Sequence, residues 1–467
     1  MTGTLNLPSS PTQSRSKKTL LVTDPPKFDL VSYIQNYQGR TRFERLLQIG
    51  LCSTFLGVDA LKLAVKEAKQ GKDTKRYIQA QGHLQTIGPN EPESRRDQAW
   101  IEATDKKNQE ETNRLQTELN GYKHNLIKES IRMGNEDLGK QYQAMGDLPK
   151  ASEAFSRMRQ DISISKHIID VSRHLIEVAT EQRNWMTVTS NVQKIRGILS
   201  SSDEDKSILP YLQAAEALAC FDNGDYRHAA LVFLGTDTGL GSTAATIISP
   251  NDVAIYGGLC ALASMDRNEL QKKVLENSSF RTYLELEPQI RRAIAFFVNS
   301  RYTACLNVLE TYRADYLLDI YLQKHFEELY HLVRSKSIVQ YFIPFSCVTL
   351  DSLNQAFAPP GKTVDKELAM MIQNNELNAR INTIDRLLEA VPSNPRTELQ
   401  RGALEITDDY AREARRRIMH MNVSMADLEV KGKRGTGHNN MGLSDDLFGE
   451  PVGRELRSRG AGSTMLS

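Results

Sequence analysis

Residues 223–233 read NGDYRHAALVF, and they decide the fold. A short polar turn runs into an aromatic residue that opens a helix containing small residues. Gly224 suits the turn, because positive φ is cheap for glycine. Ala229 lets a neighbouring helix approach closely. The pattern recurs as MGDLPKASEAF (145–155), QRNWMTVTSNV (182–192) and NSRYTACLNVL (299–309), and more weakly as ASMDRNELQKKVL (263–275). Gly146 and Ala151 repeat the roles of Gly224 and Ala229. Leu148, Trp185 and Tyr226 follow one another at steps of 37 and 41 residues, and Tyr302 closes the series through the weak copy near residue 268. Such steps lie within the range of helix-pair repeats. Each pair hides its apolar face only by stacking on the next, so a mainly α, TPR-like, right-handed solenoid is predicted. Trp185, Tyr226 and the alanines near them should be core.

Upstream, helical periodicity begins at Phe28. Leu30, Ile34 and Tyr37 share one face, as do Val58, Leu61, Val65 and Ala68. Residues 92–131 read as one long helix. Leu115, Leu119, Tyr122 and Leu126 form its stripe, and its polar N-terminal half, apart from Trp100 and Ile101, is expected to protrude or to bridge to a neighbour.

Downstream, the texture changes after residue 335. SIVQYFIPFSCV (337–348) is rich in β-branched and aromatic residues. LDSLNQAF (350–357) is a short helix, APPGKT (358–363) breaks the chain, and a second helix carries Val364, Leu368 and Met371. ARINTIDRLLEAV (379–391) reads as two strands joined by a tight turn near Asp385. Helix, turn, helix and hairpin in that order spell a winged helix. A last helix, expected over 396–429, sets Leu399, Ala403, Ile406, Tyr410, Ala414, Ile418, Met421, Met425 and Leu428 at steps of three or four. Nine apolar positions exceed what a small winged helix can cover. Leu399, Ile406, Tyr410, Ile418, Met421 and Leu428 are therefore the candidate protein-interaction residues.

Bulk composition narrows the function classes. Lys+Arg (59) and Asp+Glu (58) nearly cancel, and a net charge of +1 gives no general pull toward nucleic acid or an anionic membrane. The five cysteines are scattered, with no C-x-x-C, so neither a disulfide framework nor a zinc knuckle is readable, and a reducing compartment fits best. The N-terminus has no apolar signal region and no window spans a bilayer, so the expected location is nucleus and cytoplasm, with no membrane partner.

A helical-repeat region running into a winged helix resembles the PCI-domain proteins of the proteasome lid, the COP9 signalosome and translation initiation factor 3. Four stretches sharpen the likeness: DLVSYIQNYQGRTRFERLLQI (29–49), IKESIRMGNEDLGKQY (127–142), SPNDVAIYGGLCALASMDRNELQ (249–271) and SSFRTYLELEPQIRRAI (278–294). Over roughly residues 27–430 they are similar to the signalosome branch, with a proteasome lid subunit as nearest relative.

Composition marks residues 1–26, rich in Ser, Thr, Pro and Lys, and 431–467, rich in Gly, Asn and Ser, as disordered tails. Between them the reading gives N-terminal helices and repeats (27–248), a PCI domain (249–395, with its winged helix at about 338–393) and a bundle helix (396–430). The resemblance implies a scaffold role. The signalosome removes Nedd8 from cullins of cullin-RING ubiquitin ligases. Its PCI subunits join through winged helices and bundle their C-terminal helices, and its catalytic zinc sits in another subunit. The expected partners are other signalosome subunits and, through the complex, cullin-RING ligases. The equivalent proteasome-lid scaffold and a winged-helix nucleic-acid factor are the alternatives.

The search for chemistry returns no catalytic, cofactor-binding or metal site. The nine histidines form no H-x-H and no H-E-x-x-H. His167 and His174 could share a helix face, but a third ligand is missing. PPGKT lacks the first glycine of a phosphate loop, having Ala356 there, and Pro359 and Pro360 remove two amides such a loop would use. No G-x-S-x-G occurs. A Cys–His pair is neither favoured nor excluded by sequence. The winged helix's second helix offers only Lys366 against Asp365 and Glu367, which is poor for phosphate. The run Arg412, Arg415, Arg416, Arg417 is either a solvated face or a contact for an acidic protein partner.

Overall fold

The computed structural model describes residues 21–126, 128–159, 164–199, 208–237, 240, 246–358, 363–391 and 395–426. The chain divides into a large unit, residues 1–391, and a second unit, residues 392–467.

Within the large unit the repeats are antiparallel helix pairs: Lys128–Met145 with Leu148–Met158, Ser165–Glu181 with Trp185–Ile198, Leu209–Asp222 with Tyr226–Leu234, and Pro288–Val298 with Tyr302–Thr311. Leu148, Trp185, Tyr226 and Tyr302 are each the first residue of a second helix, as the sequence pattern predicts. The weak copy becomes a short helix, Arg267–Glu269, running into a π-helical turn, Leu270–Leu275.

One turn serves all four pairs. The residue two before each opening residue sits in the left-handed region: Gly146 at 84°, Arg183 at 60°, Gly224 at 82° and Ser300 at 60°. The next amide reaches back five residues to a carbonyl: Asp147 to Tyr142, Asn184 to Ala179, Asp225 to Cys220 and Arg301 to Phe296, at 2.8–3.1 Å. This is the Schellman closure, which satisfies carbonyls that the ending helix leaves free. Glycine is the low-strain occupant, yet only two repeats use it. At Gly146 a Cβ would also fall 2.2 Å from the Asp73 carboxylate.

The N-terminal helices Leu30–Gln35, Gly39–Cys52, Gly57–Gln70 and Thr74–Ile87 continue the packing. Leu30, Ile34, Tyr37, Leu61, Val65 and Ala68 are buried, as their spacing predicts. The single helix expected over 92–131 is not formed. A 3-10 turn, Pro92–Ser94, precedes a helix Gln98–His124, whose start is fixed by Asp97 accepting from the Trp100 amide. Leu126, at φ 54°, breaks the chain before Lys128–Met145 begins. Leu115 and Leu119 are buried, whereas Tyr122 and Leu126 face solvent near that break. The polar first half does not protrude. Ile101 and Asn108 are buried, Trp100 packs on Tyr77 at 4.9 Å between ring centres, and Asn108 donates to the Lys72 carbonyl.

Helix Pro250–Ser264 is the axis of the core. It is apolar almost all round, and it packs on Tyr226–Leu234, Ser278–Leu286, Pro288–Val298 and Leu322–Phe342. A Cβ at Gly258 would lie 2.3 Å from Ile290, so the bare backbone is what admits that neighbour. A capping box between Ser249 and Asp252 starts the helix.

Asp252 has a second task. It accepts from Arg45 at 2.8 Å and from the Tyr37 hydroxyl at 2.7 Å. Arg45 is 1% exposed and also pairs with Asp319, which accepts from the Tyr256 hydroxyl and from the amides of Tyr321 and Leu322. The Arg45 guanidinium lies 4.0 Å from the centre of the Tyr37 ring. This buried hub ties the N-terminal helices to the core axis and to the segment before helix Leu322–Phe342.

The winged helix follows. SIVQYF does not form a strand; it completes helix Leu322–Phe342. Strand β1 is Cys347–Thr349, and helices Leu350–Phe357 and Asp365–Gln373 precede strands β2, Ala379–Asn382, and β3, Leu387–Ala390. The expected hairpin is present, turning at 383–386, and β1 adds a third antiparallel strand to give the order β1-β3-β2. Leu350, Leu353, Phe357, Val364, Leu368, Met371 and Leu388 form its core.

Candidate interaction surface

In the second unit, residues Pro395–Met425 form one 31-residue helix. Of the predicted stripe, Leu399 (75%), Ile406 (60%), Tyr410 (77%), Ile418 (57%) and Met421 (60%) are exposed, and Leu428 lies outside the described residues. The expected end at 429 is likewise outside them. Leu404 and Met419 add exposed apolar surface beyond the stripe. The basic run is partly balanced within its own helix. Arg412 pairs with Asp409, and Arg416 and Arg417 both pair with Glu413. Those pairs are fully solvated and contribute little, so this face offers less free charge to an acidic partner than the sequence alone suggests.

The winged helix carries a second surface. Both β1 and β2 are edge strands of the small sheet, the position at which another chain can add a strand, although the Ala379 amide of β2 already donates to the Leu377 carbonyl. Ile343, Phe345, Ile384 and Val391 are exposed around the small sheet. The second helix does not present a cationic face. Lys366 is exposed, but Glu367 is held by Arg334 at 2.7 and 3.0 Å, and the apolar Met370 is 56% exposed. A nucleic-acid reader needs cations where this helix shows a methionine.

The candidate chemistry resolves into structural contacts. His167 lies 3.8 Å from Glu129, and His174 lies 3.7 Å from Glu136 and from Glu177 while stacking on Phe155. These are the contacts of histidines pairing with carboxylates on the helix surface. The Cys52 thiol contacts Gln48 and Gln323, not a histidine. Burial pushes the Cys260 thiol well up and the Cys220 thiol up to about 11, away from the thiolate a nucleophile needs. Residues 359–362 of the PPGKT stretch lie outside the described residues. Among the described residues no group of three or more His, Cys, Asp or Glu could hold a metal ion, and no helix is long and apolar enough to cross a membrane.

Sequence reasoning missed the exposed winged-helix residues Ile343, Phe345 and Ile384. A signal was available: Ile384 sits at the tip of the turn beside Asp385, where a polar residue is the norm.

Residues 97–273 match the family model described as 26S proteasome subunit RPN7, and residues 309–390 match the PCI domain. The chain is 48% identical over 421 residues to COP9 signalosome complex subunit 1 of Emericella nidulans, covering 88% of this chain and 84% of that protein. To the protein of the same name from Neurospora crassa it is 48% identical over 412 residues, covering 88% of this chain and 93% of that protein. Identity to the 26S proteasome non-ATPase regulatory subunit 6 of Dictyostelium discoideum is 22% over 243 residues, covering 51% of this chain and 63% of that protein.

Proposed function

The chain belongs to the COP9 signalosome subunit 1 family, and from that premise we propose that it is a non-catalytic scaffold that joins other signalosome subunits through its winged helix and C-terminal helix. The observation that carries this reading is the exposed stripe of Leu399, Ile406, Tyr410, Ile418 and Met421. At 1.5 Å per residue the helix is roughly 46 Å long. A hydrocarbon edge of that length in water drives association, so a bundle with other subunits' helices is the natural cover. The open strand edges β1 and β2 supply a second contact of a different kind, through backbone hydrogen bonds. On this reading the complex, not this chain, removes Nedd8 from cullins of cullin-RING ligases, and the zinc that does so belongs to another subunit. The chain then works in nucleus and cytoplasm, where the complex meets its substrates.

The proteasome-lid alternative is disfavoured by the 22% against 48% identity, and the nucleic-acid alternative by the weak charge of the second winged-helix helix.

The test is the double variant Ile406→Asp/Ile418→Asp. Two unpaired carboxylates in a dry seam are strongly unfavourable. The variant should stay soluble and folded by circular dichroism, should fail to co-purify with the remaining subunits, and should leave cells with Nedd8-modified cullins. Its entry into a complete complex would overturn the interface model. The purified wild-type chain should neither cleave a cullin–Nedd8 conjugate nor carry stoichiometric zinc by elemental analysis.

A further inference from the structure

A cavity of about 180 Å³ opens beside the Arg45 hub, where the N-terminal segment crosses the starts of helices Pro250–Ser264, Pro288–Val298 and Arg313–Leu317. Its walls divide by chemistry. Phe28, Tyr33 and Tyr312 provide aromatic surface, and Glu287 and Asp315 provide carboxylates. Asp252 and Asp319, which also line it, are already paired with Arg45.

Glu287 and Asp315 are different. Neither forms an ion pair among the described residues. Among the described residues Glu287 accepts from the side-chain amides of Asn251 and Gln289, and Asp315 accepts from the Lys27 backbone amide at 2.8 Å. Burial raises both carboxyls above their usual range; the Lys27 backbone amide and the Lys27 charge offset this only in part at Asp315, and no ion pair offsets it at Glu287 among the described residues. A further polar group is left unused. The Tyr316 hydroxyl, on a side chain 3% exposed, is buried with no hydrogen-bond partner, and it lies close enough to Glu287 and Asp315 to feel both charges.

Aromatic faces beside carboxylates are the surroundings a desolvated cation selects. The chain itself shows the preference. The Lys27 ammonium lies over the Tyr312 ring, 4.6 Å from its centre, yet it forms no ion pair among the described residues.

We propose that this cavity is a binding site for a side-chain-sized organic cation, a primary ammonium or a guanidinium, held by Glu287 and Asp315 against the Phe28, Tyr33 and Tyr312 rings, with Lys27 as its built-in competitor. An arriving cation takes the carboxylates that Lys27 leaves unpaired. Lys27 is exposed, so it can swing aside at little cost. The source of the cation is either a basic side chain of another protein or a free polyamine; the recognition chemistry is the same. The site is independent of the C-terminal stripe, and so are their tests.

The experiment is calorimetric titration of the full chain with four probes: N-acetyl-lysine methylamide, N-acetyl-arginine methylamide, spermidine and, as a neutral isostere, N-acetyl-citrulline methylamide. At least one cationic probe should bind about tenfold more tightly than the citrulline probe. Glu287→Gln and Asp315→Asn should each weaken that binding about tenfold, with melting temperatures unchanged. Lys27→Ala should tighten it, because the competitor is gone. Stronger binding of spermidine than of the capped amino acids assigns a free polyamine, and the reverse assigns a protein side chain. Equal binding of the citrulline and arginine probes, or no cation binding by the Lys27→Ala chain, would overturn the proposal.

Discussion

Two regions of this chain invert the usual placement of side chains, in opposite directions. The Arg45 hub buries charge at the centre of the large unit, and the Pro395–Met425 helix exposes hydrocarbon along its length. The hub is closed. Arg45 meets Asp252 and Asp319, and the aspartates take further donors from Tyr37, Tyr256 and backbone amides. The helix is open, because Leu399, Ile406, Tyr410, Ile418 and Met421 are 57–77% exposed. A buried charge that finds its counter-charges within the chain calls for nothing further. An exposed apolar edge is satisfied only by another surface, so the first inversion serves the fold and, on the reading proposed above, the second serves assembly.

The largest expected effect breaks the closed side. Arg45→Met leaves two carboxylates buried without their cation and should cost about 3–5 kcal/mol, read as a fall in the thermal melt of the full chain. An unchanged melt would show that water reaches the hub. The same site has a pH signature. Arg45, together with the amides and the Tyr256 hydroxyl, holds the Asp319 carboxyl below its usual range. A depressed carboxyl contributes stability that is fully present above its unfolded pKa, about 4, and is lost as pH falls through the lower folded value. The acid limb of a stability–pH curve should therefore flatten in Asp319→Asn.

Trp185→Ala and Tyr226→Ala come next, at about 3 kcal/mol each, the low end for aromatic truncation because both rings keep 6% exposure. The Trp185 indole donates to Asp222 at 2.7 Å and the Tyr226 hydroxyl to Glu328 at 2.6 Å, so each change also strands a polar partner. Wild-type melts for both would mean that the repeat interfaces, like the stripe, hold little of the chain's own stability.

Smaller effects sharpen the turn comparison. Gly146→Ala should destabilise by about 1–2 kcal/mol from left-handed strain, plus the clash with Asp73. Ser300→Gly, at the same turn position in the last pair, should gain up to about 1 kcal/mol. A loss at Ser300 would show that the serine side chain, which accepts from Arg267 at 2.7 Å, outweighs the strain.

The smallest effect tests the open side. Ile406→Asp/Ile418→Asp should leave the melt of the isolated chain within about 0.5 kcal/mol of wild type, as exposed substitutions do. A larger loss would mean that the stripe is packed within the chain and the contrast between the two regions is false.

Sequence alone determined the parts that depend on neighbours a few residues away. The opening residue of each second helix, the glycine turns at 146 and 224, the winged-helix order and the apolar spacing from Leu399 to Met421 all follow from helical period, turn chemistry and strand alternation. Even there, local reading ran together what Asp97 and Leu126 separate. It also missed that Arg183 and Ser300 adopt the glycine turn, because nothing in their side chains announces positive φ. The tertiary structure decided what depends on distance along the chain. Arg45 lies 207 residues from Asp252 and 274 from Asp319, and the cavity at Glu287 and Asp315 is closed by Phe28 and Tyr33 from the far N-terminus. No periodicity links such residues. Their pairing is settled only when the helices stack, because burial then makes an unpaired charge too costly to leave unmatched.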